Sequence, residues 1–287
     1  MDEGKGRLYL CATPIGNLED ITLRALRVLR EVDIIAAEDT RHTRKLLSHY
    51  DIHTPLTSYH DHNMRKKGGE ILDQLLSGKQ VALVSDAGLP GISDPGAELV
   101  RQVVERGIVV VPIPGPSASL TALVASGLPT GSFVFEGFLP APGKQRRKVL
   151  AALKEEHRTM IFYEAPHRVL STLADMLAVF GDRPMAAARE LTKRFEEVIR
   201  ENISGVLGFF RDHEPRGEFT LVVGGRTVKE GGAEGDAREA LSPAEMVAFL
   251  EAGGLARPEA IREAARRLGQ PKRAVYREVV LNKERET

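Results

Sequence analysis

Apolar and polar positions alternate along this chain in two rhythms. Short, nearly unbroken apolar runs have the character of strands buried on both faces: RLYLCA (7–12), VDIIAAED (32–39), QVALVSD (80–86) and IVVVPIPG (108–115). Between them lie segments with helical spacing. In DITLRALRVLRE, Ile21, Ala25, Val28 and Leu29 form one stripe, with Arg24 and Arg27 outside it. Residues 64–77 look helical, PGAELVRQVVERG is a helix stopped by Gly107, and PSASLTALVASG is another. This alternation predicts an α/β domain with a mostly parallel sheet.

A second strand series begins at GSFVFEGFLP (131–140). A basic stretch, GKQRRK (143–148), enters a predicted helix. RTMIFYEA follows as a strand, and PHRVLSTLADMLAVFG as a helix opened by Pro166 and closed by Gly181. PMAAAREL and FEEVIREN predict a strand pair connected at Thr192 and Lys193, and GEFTLVVGG a last strand. Fewer helices separate these strands, which predicts an α+β or mixed-sheet domain. The polar, Gly-rich residues that follow read as a linker. Beyond it, Ser242, Pro243 and Glu245 form a capping box. Ile261, Ala264, Ala265 and Leu268 share one helix face, and another helix starts after Gly269, a helix-turn-helix pattern. The expected division is 1–122 and 123–226 for two α/β domains, 227–241 for the linker and 242–287 for the helical unit.

Composition narrows the function classes. Lys plus Arg and Asp plus Glu both number 40, so any nucleic-acid surface must be a local patch. One candidate lies in residues 255–287, with nine Lys and Arg against five Asp and Glu; Lys272, Arg273 and Arg277 could line one face. GKQRRK offers a second. The single cysteine, Cys11, excludes a disulfide within the chain and argues against a cysteine-based zinc site. No segment approaches the ~18 apolar residues of a membrane span. The expected setting is cytoplasmic, without a membrane partner.

Three loops at predicted strand ends are candidate ligand sites: ATPIGNLED (12–20), SDAGLPGISDPG (85–96) and PGPSAS (114–119). Neither a Walker A loop nor G-x-G-x-x-G is present, which disfavours a standard nucleotide site. Asp94 and the Gly115-Pro116 pair stand before helix starts, whose free N–H groups could hold an anion; the same loops could be ordinary strand-to-helix connections. His60, Asp61 and His62, with His42 or Asp39, raise a metal option, but H-x-H alone is weak and no metal is expected. AEDTRHTRK (37–45) sets Asp39, Arg41, His42 and Lys45 after a buried strand, either as a capped helix start or as a substrate-facing rim. YEAPHR (163–168) and RELTKRFEE (189–197) are similar in kind.

Taken in order, TPIGNLEDITLRAL, AEDTRHTRKLL, SDAGLPGISDPG, PIPGPSAS, GFLP, YEAPHR and RELTK.FEE resemble the small-subunit ribosomal RNA methyltransferase I family of the tetrapyrrole-methylase superfamily. The match covers residues 7–225, and Ala265, Gly269 and Val275 suit that family's helix-turn-helix extension. The resemblance implies a tetrapyrrole-methylase-like fold, two α/β domains with S-adenosyl-L-methionine in the cleft between them, plus small C-terminal helices. It implies 2′-O-methylation of a cytidine in the decoding region of 16S rRNA, with the small ribosomal subunit as partner and a homodimer as the assembly. The implied cofactor contacts are Pro14 and Ile15; Asp86, Ala87, Gly88 and Leu89; Ser117 and Ala118; Tyr163 and Glu164; Leu191 and Phe219. Two positions depart from the superfamily pattern: the first loop is poorer in glycine than usual, and Glu164 stands where many relatives are apolar.

A ribose 2′-hydroxyl is a poor nucleophile, so a positioned base or a cation near the developing alkoxide would help. The expected catalytic set is Asp39, Arg41, His42 and Lys45 at one edge of the cleft, with Glu164, His167, Arg189 and Glu190 opposite. Two competing readings are a small-molecule tetrapyrrole methyltransferase and a non-enzymatic, ligand-sensing nucleic-acid-binding regulator.

Overall fold

The computed structural model describes residues 4–226, 242–252, 255–267 and 270–283. The chain forms two compact units, Met1–Val228 and Lys229–Thr287. The first contains two five-stranded sheets.

The first sheet is built from β1 (Arg7–Cys11), β2 (Ile34–Ala37), β3 (Leu56–Ser58), β4 (Val81–Val84) and β5 (Val109–Ile113), all parallel, in the order β3-β2-β4-β1-β5. Its helices are α1 (Leu23–Glu31), α2 (Thr40–His49), α3 (Met64–Leu76) and α4 (Gly96–Glu105). The two-residue strand period explains the layering. Ala82 and Val84 pack with α1 and α2, while Val81 and Leu83 pack with α3 and α4. Both faces are covered, hence the unbroken apolar runs. The chain leaves β1 to reach β2 beyond β4, and leaves β4 to reach β5 beyond β1. The connections after β1 and β4 therefore each pass over the other's strand and do so on opposite faces of the sheet, and a crevice opens where they diverge at the carboxyl ends of the strands.

The second sheet is mixed: β6 (Phe133–Phe138), β7 (Thr159–Glu164), β8 (Pro184–Arg189), β9 (Glu197–Asn202) and β10 (Phe219–Val223), in the order β6-β7-β10-β8-β9. Only β6 and β7 run parallel. PMAAAREL and FEEVIREN are the expected strand pair, with Arg189 opposite Glu197. Helices α6 (Gly143–Ala152), α7 (Pro166–Phe180) and α8 (Ile203–Asp212) cover one face. The other face takes Ala122 and Leu123 of α5 (Ala118–Ser126), which pack with Ile161, Ala186, Ala188 and Val222. The expected boundary at 122/123 thus falls inside a helix that follows the first sheet and packs on the second. Ile15 joins the same cluster from the loop after β1.

Two segments depart from the sequence expectations, and a third bears out one of two open readings: AEDTRHTRK does start a capped helix, α2, of which only Thr43, Leu46 and Leu47 are buried. Strand β3 is three residues long, too short for alternation to show. Helix α8 has an apolar stripe of Ile203, Val206, Leu207 and Phe210, but it follows β9 with no side-chain cap to mark its start. The GKQRRK patch is also corrected. Arg146 is buried and pairs with Asp175 at 2.7 Å, and Arg147 pairs with the same carboxylate at 3.2 Å. Arg146 thus ties α6 to α7 and is withdrawn from the patch, while Lys144, Arg147 and Lys148 stay exposed.

The second unit packs α9 (Pro243–Ala252), α10 (Arg257–Arg267) and α11 (Lys272–Lys283) around Val247, Leu250, Ile261, Ala264, Ala265, Val275 and Val279. The capping box is formed: the Ser242 N–H donates to Glu245 Oε2 at 2.7 Å, and the Glu245 N–H donates to Ser242 Oγ at 3.3 Å. Lys272, Arg273, Tyr276 and Arg277 are exposed on α11. The linker, Leu268 and Gly269 lie outside the described residues. No helix among the described residues is long and apolar enough to cross a membrane.

Candidate active site

The crevice is fixed by contacts between loops distant in sequence. The Thr13 N–H donates to the Gly88 carbonyl at 2.9 Å, and the Gly88 N–H donates back at 3.0 Å. Thr13 Oγ1 adds a bond to the Ser85 carbonyl at 3.0 Å. Gly88 has φ +85°, a conformation that glycine adopts without the steric cost of a Cβ. Further along, the Asp94 carboxylate accepts from the Gly91 N–H at 2.8 Å and the Gly96 N–H at 2.7 Å. The loop is thereby closed on itself, and the first N–H of α4 is satisfied. The two Ser-Asp pairs of SDAGLPGISDPG differ in role: Asp94 fastens the loop, and Asp86 sits at the strand end.

The loop after β1 also meets the second sheet. A Cβ on Gly16 would fall 2.4 Å from Lys193 Cγ and 2.8 Å from Thr192 Oγ1. The Asn17 N–H donates to that hydroxyl at 3.0 Å. On the other side of this contact, Glu190 and Thr192 both have left-handed backbones, at φ +50° and +66°. For the β-branched Thr192 this is costly, and two such residues in one short loop mark a functional constraint.

Two chambers result. The first, of about 390 Å³, lies between the sheets and has a volume typical of a small-molecule pocket. Eleven of the twelve expected cofactor contacts line it: Ile15, Asp86, Ala87, Gly88, Leu89, Ser117, Ala118, Tyr163, Glu164, Leu191 and Phe219. Pro14 instead lines the second chamber, of about 440 Å³, with Thr13, Gly16, His42, Thr43 and Lys45. The chambers share Ile15, Ser85, Asp86, Ala87, Lys193 and Glu218.

Charge separates them. The first chamber is lined by six carboxylates, Glu38, Asp86, Asp94, Glu164, Glu190 and Glu218, and by one cation, Lys193. Burial, followed by the adjacent Asp86, pushes the Glu38 carboxyl above its ordinary range. Burial likewise raises Asp94 despite its N–H donors. These groups repel one another, so a cationic ligand would relieve them. The second chamber has three basic residues, His42, Lys45 and Lys193, against Asp86 and Glu218.

The expected catalytic set is only partly brought together. Glu190 and Glu164 line the first chamber, and His42 and Lys45, one turn apart on α2, line the second. Asp39, Arg41, His167 and Arg189 line neither. Asp39 is the N-cap of α2, accepting from the Arg41 N–H at 2.7 Å, and the Arg41 guanidinium holds its carboxyl far below the usual range. Its own N–H donates to Asp86 Oδ1 at 3.0 Å. Arg189 is spent on Glu197 at 2.7 Å. His167 is exposed on the first turn of α7.

Glu164 has no free acceptor role. Its carboxylate is fully buried and accepts from Thr172 Oγ1 at 2.6 Å and the Ala165 N–H at 2.9 Å, with Arg168 Nε at 3.1 Å. A base bound in this way cannot take a proton from a substrate, so Glu164 positions the β7 end beside Tyr163. His60 and His62 stand in the segment before α3, their rings 6.0 Å apart. No group of three or more potential metal ligands occurs among the described residues.

Glu38, Ser85, Asp94, Lys193, Glu218 and Thr220 line the first chamber without having been expected there. Glu38 and Lys193 lie inside two of the charged motifs, so the signal was present. What could not be read was which member of each motif faces inward.

The tetrapyrrole (corrin/porphyrin) methylase family profile matches residues 7–206. Ribosomal RNA small subunit methyltransferase I of Halalkalibacterium halodurans is 51% identical over 96% of this chain and 94% of its own. The protein of the same name from Bacillus subtilis is 52% identical over 94% of this chain and 93% of its own. Among solved structures, a cobalt precorrin-4 methyltransferase superposes with a TM-score of 0.58 at 17% identity, covering 76% of this chain and 94% of that one. Uroporphyrin-III C-methyltransferase of Thermus thermophilus, complexed with S-adenosylhomocysteine, gives 0.55 at 20% identity over 76% and 97%.

Proposed function

The chain belongs to the tetrapyrrole methylase family and, within it, to the ribosomal RNA small subunit methyltransferase I family, and from that premise we propose that it methylates the 2′-oxygen of a cytidine in the decoding region of 16S rRNA. The methyl donor is S-adenosyl-L-methionine, which, when bound, supplies a methyl on a sulfonium centre. The observation that carries this reading is an acidic chamber sharing a wall with a more basic one.

The donor set fits the cofactor. A sulfonium and an ammonium are both cations, and Glu38, Asp86 and Asp94 supply the opposite charge. The backbone of Ala87–Leu89 and the start of α5 at Ser117 and Ala118 complete one wall, and Tyr163, Leu191 and Phe219 give apolar cover on the other. His42 and Lys45 in the second chamber suit the phosphates beside a target ribose. The protein's contribution is to hold acceptor and donor in line and keep water from the shared wall. The exposed basic side chains of α11 offer a further, sequence-neutral phosphate contact. The working protein is a homodimer acting on the small ribosomal subunit in the cytoplasm.

The test is incubation with methyl-labelled cofactor and, in parallel, with 30S subunits lacking the modification, with uroporphyrinogen III and with duplex DNA. Label in the rRNA is the expected result. Label in the tetrapyrrole alone would make the chain a small-molecule methyltransferase. Tight duplex binding without turnover would make it a regulator.

A further inference from the structure

Where donor and acceptor chambers meet, the shared wall carries one cation, Lys193. Its ammonium bonds Glu190 Oε1 at 2.9 Å and Glu218 Oε2 at 3.1 Å. The support is itself anchored: the Glu218 N–H donates to Glu190 Oε1 at 3.1 Å, and the Glu190 N–H donates to the Glu218 carbonyl at 3.1 Å. A Cβ on Gly217 would lie 2.3 Å from the Glu190 side chain, so that carboxylate rests directly on bare backbone. The loop holds this arrangement at the cost of the left-handed Glu190 and Thr192. An ammonium has three donors, and the described residues take two.

Resting on the proposed methyl transfer to a ribose, we propose that Lys193 is a catalytic residue: its remaining N–H contacts the acceptor 2′-oxygen and stabilises the negative charge that develops there. The acceptor oxygen forms its bond to the methyl carbon as the carbon–sulfur bond breaks. Sulfur keeps that electron pair and becomes a neutral thioether, and the hydroxyl proton leaves to water. Glu190 and Glu218 keep the ammonium charged and in place; burial works against its proton, but the two carboxylates outweigh it and hold the lysine above its ordinary range. Asp86 of the same wall and His42 and Lys45 of the second chamber are the other charged or titratable groups on this side. A fixed cation at a developing oxyanion accounts for about 100-fold or more in rate when removed.

The experiment uses the full chain, 30S subunits lacking the modification and methyl-labelled cofactor under single-turnover conditions. Lys193→Met is expected to lower the rate constant about 100-fold, with S-adenosylhomocysteine affinity and melting temperature close to wild type. Lys193→Arg should restore part of the rate. A binding readout separates contact from support: wild type should hold an rRNA fragment about tenfold more tightly than the same fragment with a 2′-deoxy target, and Lys193→Met should bind both alike. If Lys193→Met folds poorly, Lys193→Gln, which can still hydrogen-bond Glu190 and Glu218, carries the same expectations. Near-wild-type turnover, a loss explained entirely by weaker cofactor binding, or retained discrimination against the deoxy fragment would each overturn the assignment. Absence of ribose label with wild-type protein would sink the proposed function; equal label with wild type and Lys193→Met would sink only the role of Lys193.

Discussion

Replacing Glu164 by alanine separates a structural carboxylate from a catalytic one. The side chain is fully buried and bonded to Thr172, to the Ala165 N–H and to Arg168. Truncation leaves the Thr172 hydroxyl, itself completely buried, without that partner. It also leaves Arg168, with 19% of its side chain exposed, without its counter-charge. Breaking a buried ion pair from one side costs about 3–5 kcal/mol. Arg168 keeps its bond to the Leu139 carbonyl and some access to water, which places the expected loss at the lower end, about 3 kcal/mol. With a urea dependence of about 2–3 kcal/mol per molar, the unfolding midpoint should fall by about 1 M. Glu164→Gln keeps one acceptor oxygen and should lose roughly half as much. The assay is urea unfolding followed by circular dichroism, beside single-turnover methyl transfer without denaturant. Folded Glu164→Gln should keep most of its rate. A variant as stable as wild type, within about 0.5 kcal/mol, but unable to transfer methyl would refute the structural role and return Glu164 to the chemistry.

Other outcomes follow from burial and charge. Cofactor affinity should rise as pH increases through the acidic range. Glu38 and Asp94 have raised carboxyl pKa values without ligand, and a bound cation favours their ionised forms, so acid weakens binding; titration calorimetry across that range should show it, and Glu38→Gln should flatten the slope. Cys11 is buried, and its thiol is pushed up to about 12 by that burial, so it should resist thiol reagents until the chain unfolds. The unfolded thiol loses its proton first, near 9, so stability should fall as pH rises from about 9 toward 12. Below pH 10, before Tyr59 contributes, Cys11→Ala should reduce that fall. Arg146→Ala should destabilise by about 3 kcal/mol in thermal unfolding by leaving Asp175 with only exposed Arg147, while 30S binding stays near wild type.

Much of the architecture was legible because it rests on local periodicity. The apolar runs at 80–86 and 108–115 gave parallel strands, and the stripe Ile21, Ala25, Val28, Leu29 gave α1. What local pattern does not carry was left open or lost. Helix α2, whose capped start was one of two readings, is polar almost throughout because one face meets solvent and the second chamber. Helix α5 follows the first sheet in sequence but packs on the second, an outcome of tertiary packing that spacing cannot reveal. The loops of the crevice were legible as glycine- and proline-bearing strand ends, and eleven of the twelve contacts that only the resemblance implied line one chamber. Individual roles were less so. In AEDTRHTRK the charges look equivalent, yet Glu38 lines the first chamber, Asp39 is a helix cap, and His42 and Lys45 line the second. In RELTKRFEE, Arg189 is occupied by Glu197, while Lys193 stands on the shared wall, next to the left-handed backbones of Glu190 and Thr192.

The most direct measurement is to label 30S subunits lacking the modification with methyl-labelled S-adenosyl-L-methionine, digest the 16S rRNA to nucleosides and identify the labelled species by mass spectrometry. The expected result is label confined to 2′-O-methylcytidine, one equivalent per subunit. Label on a nucleobase, or on the ribose of another nucleotide, would contradict the proposed reaction.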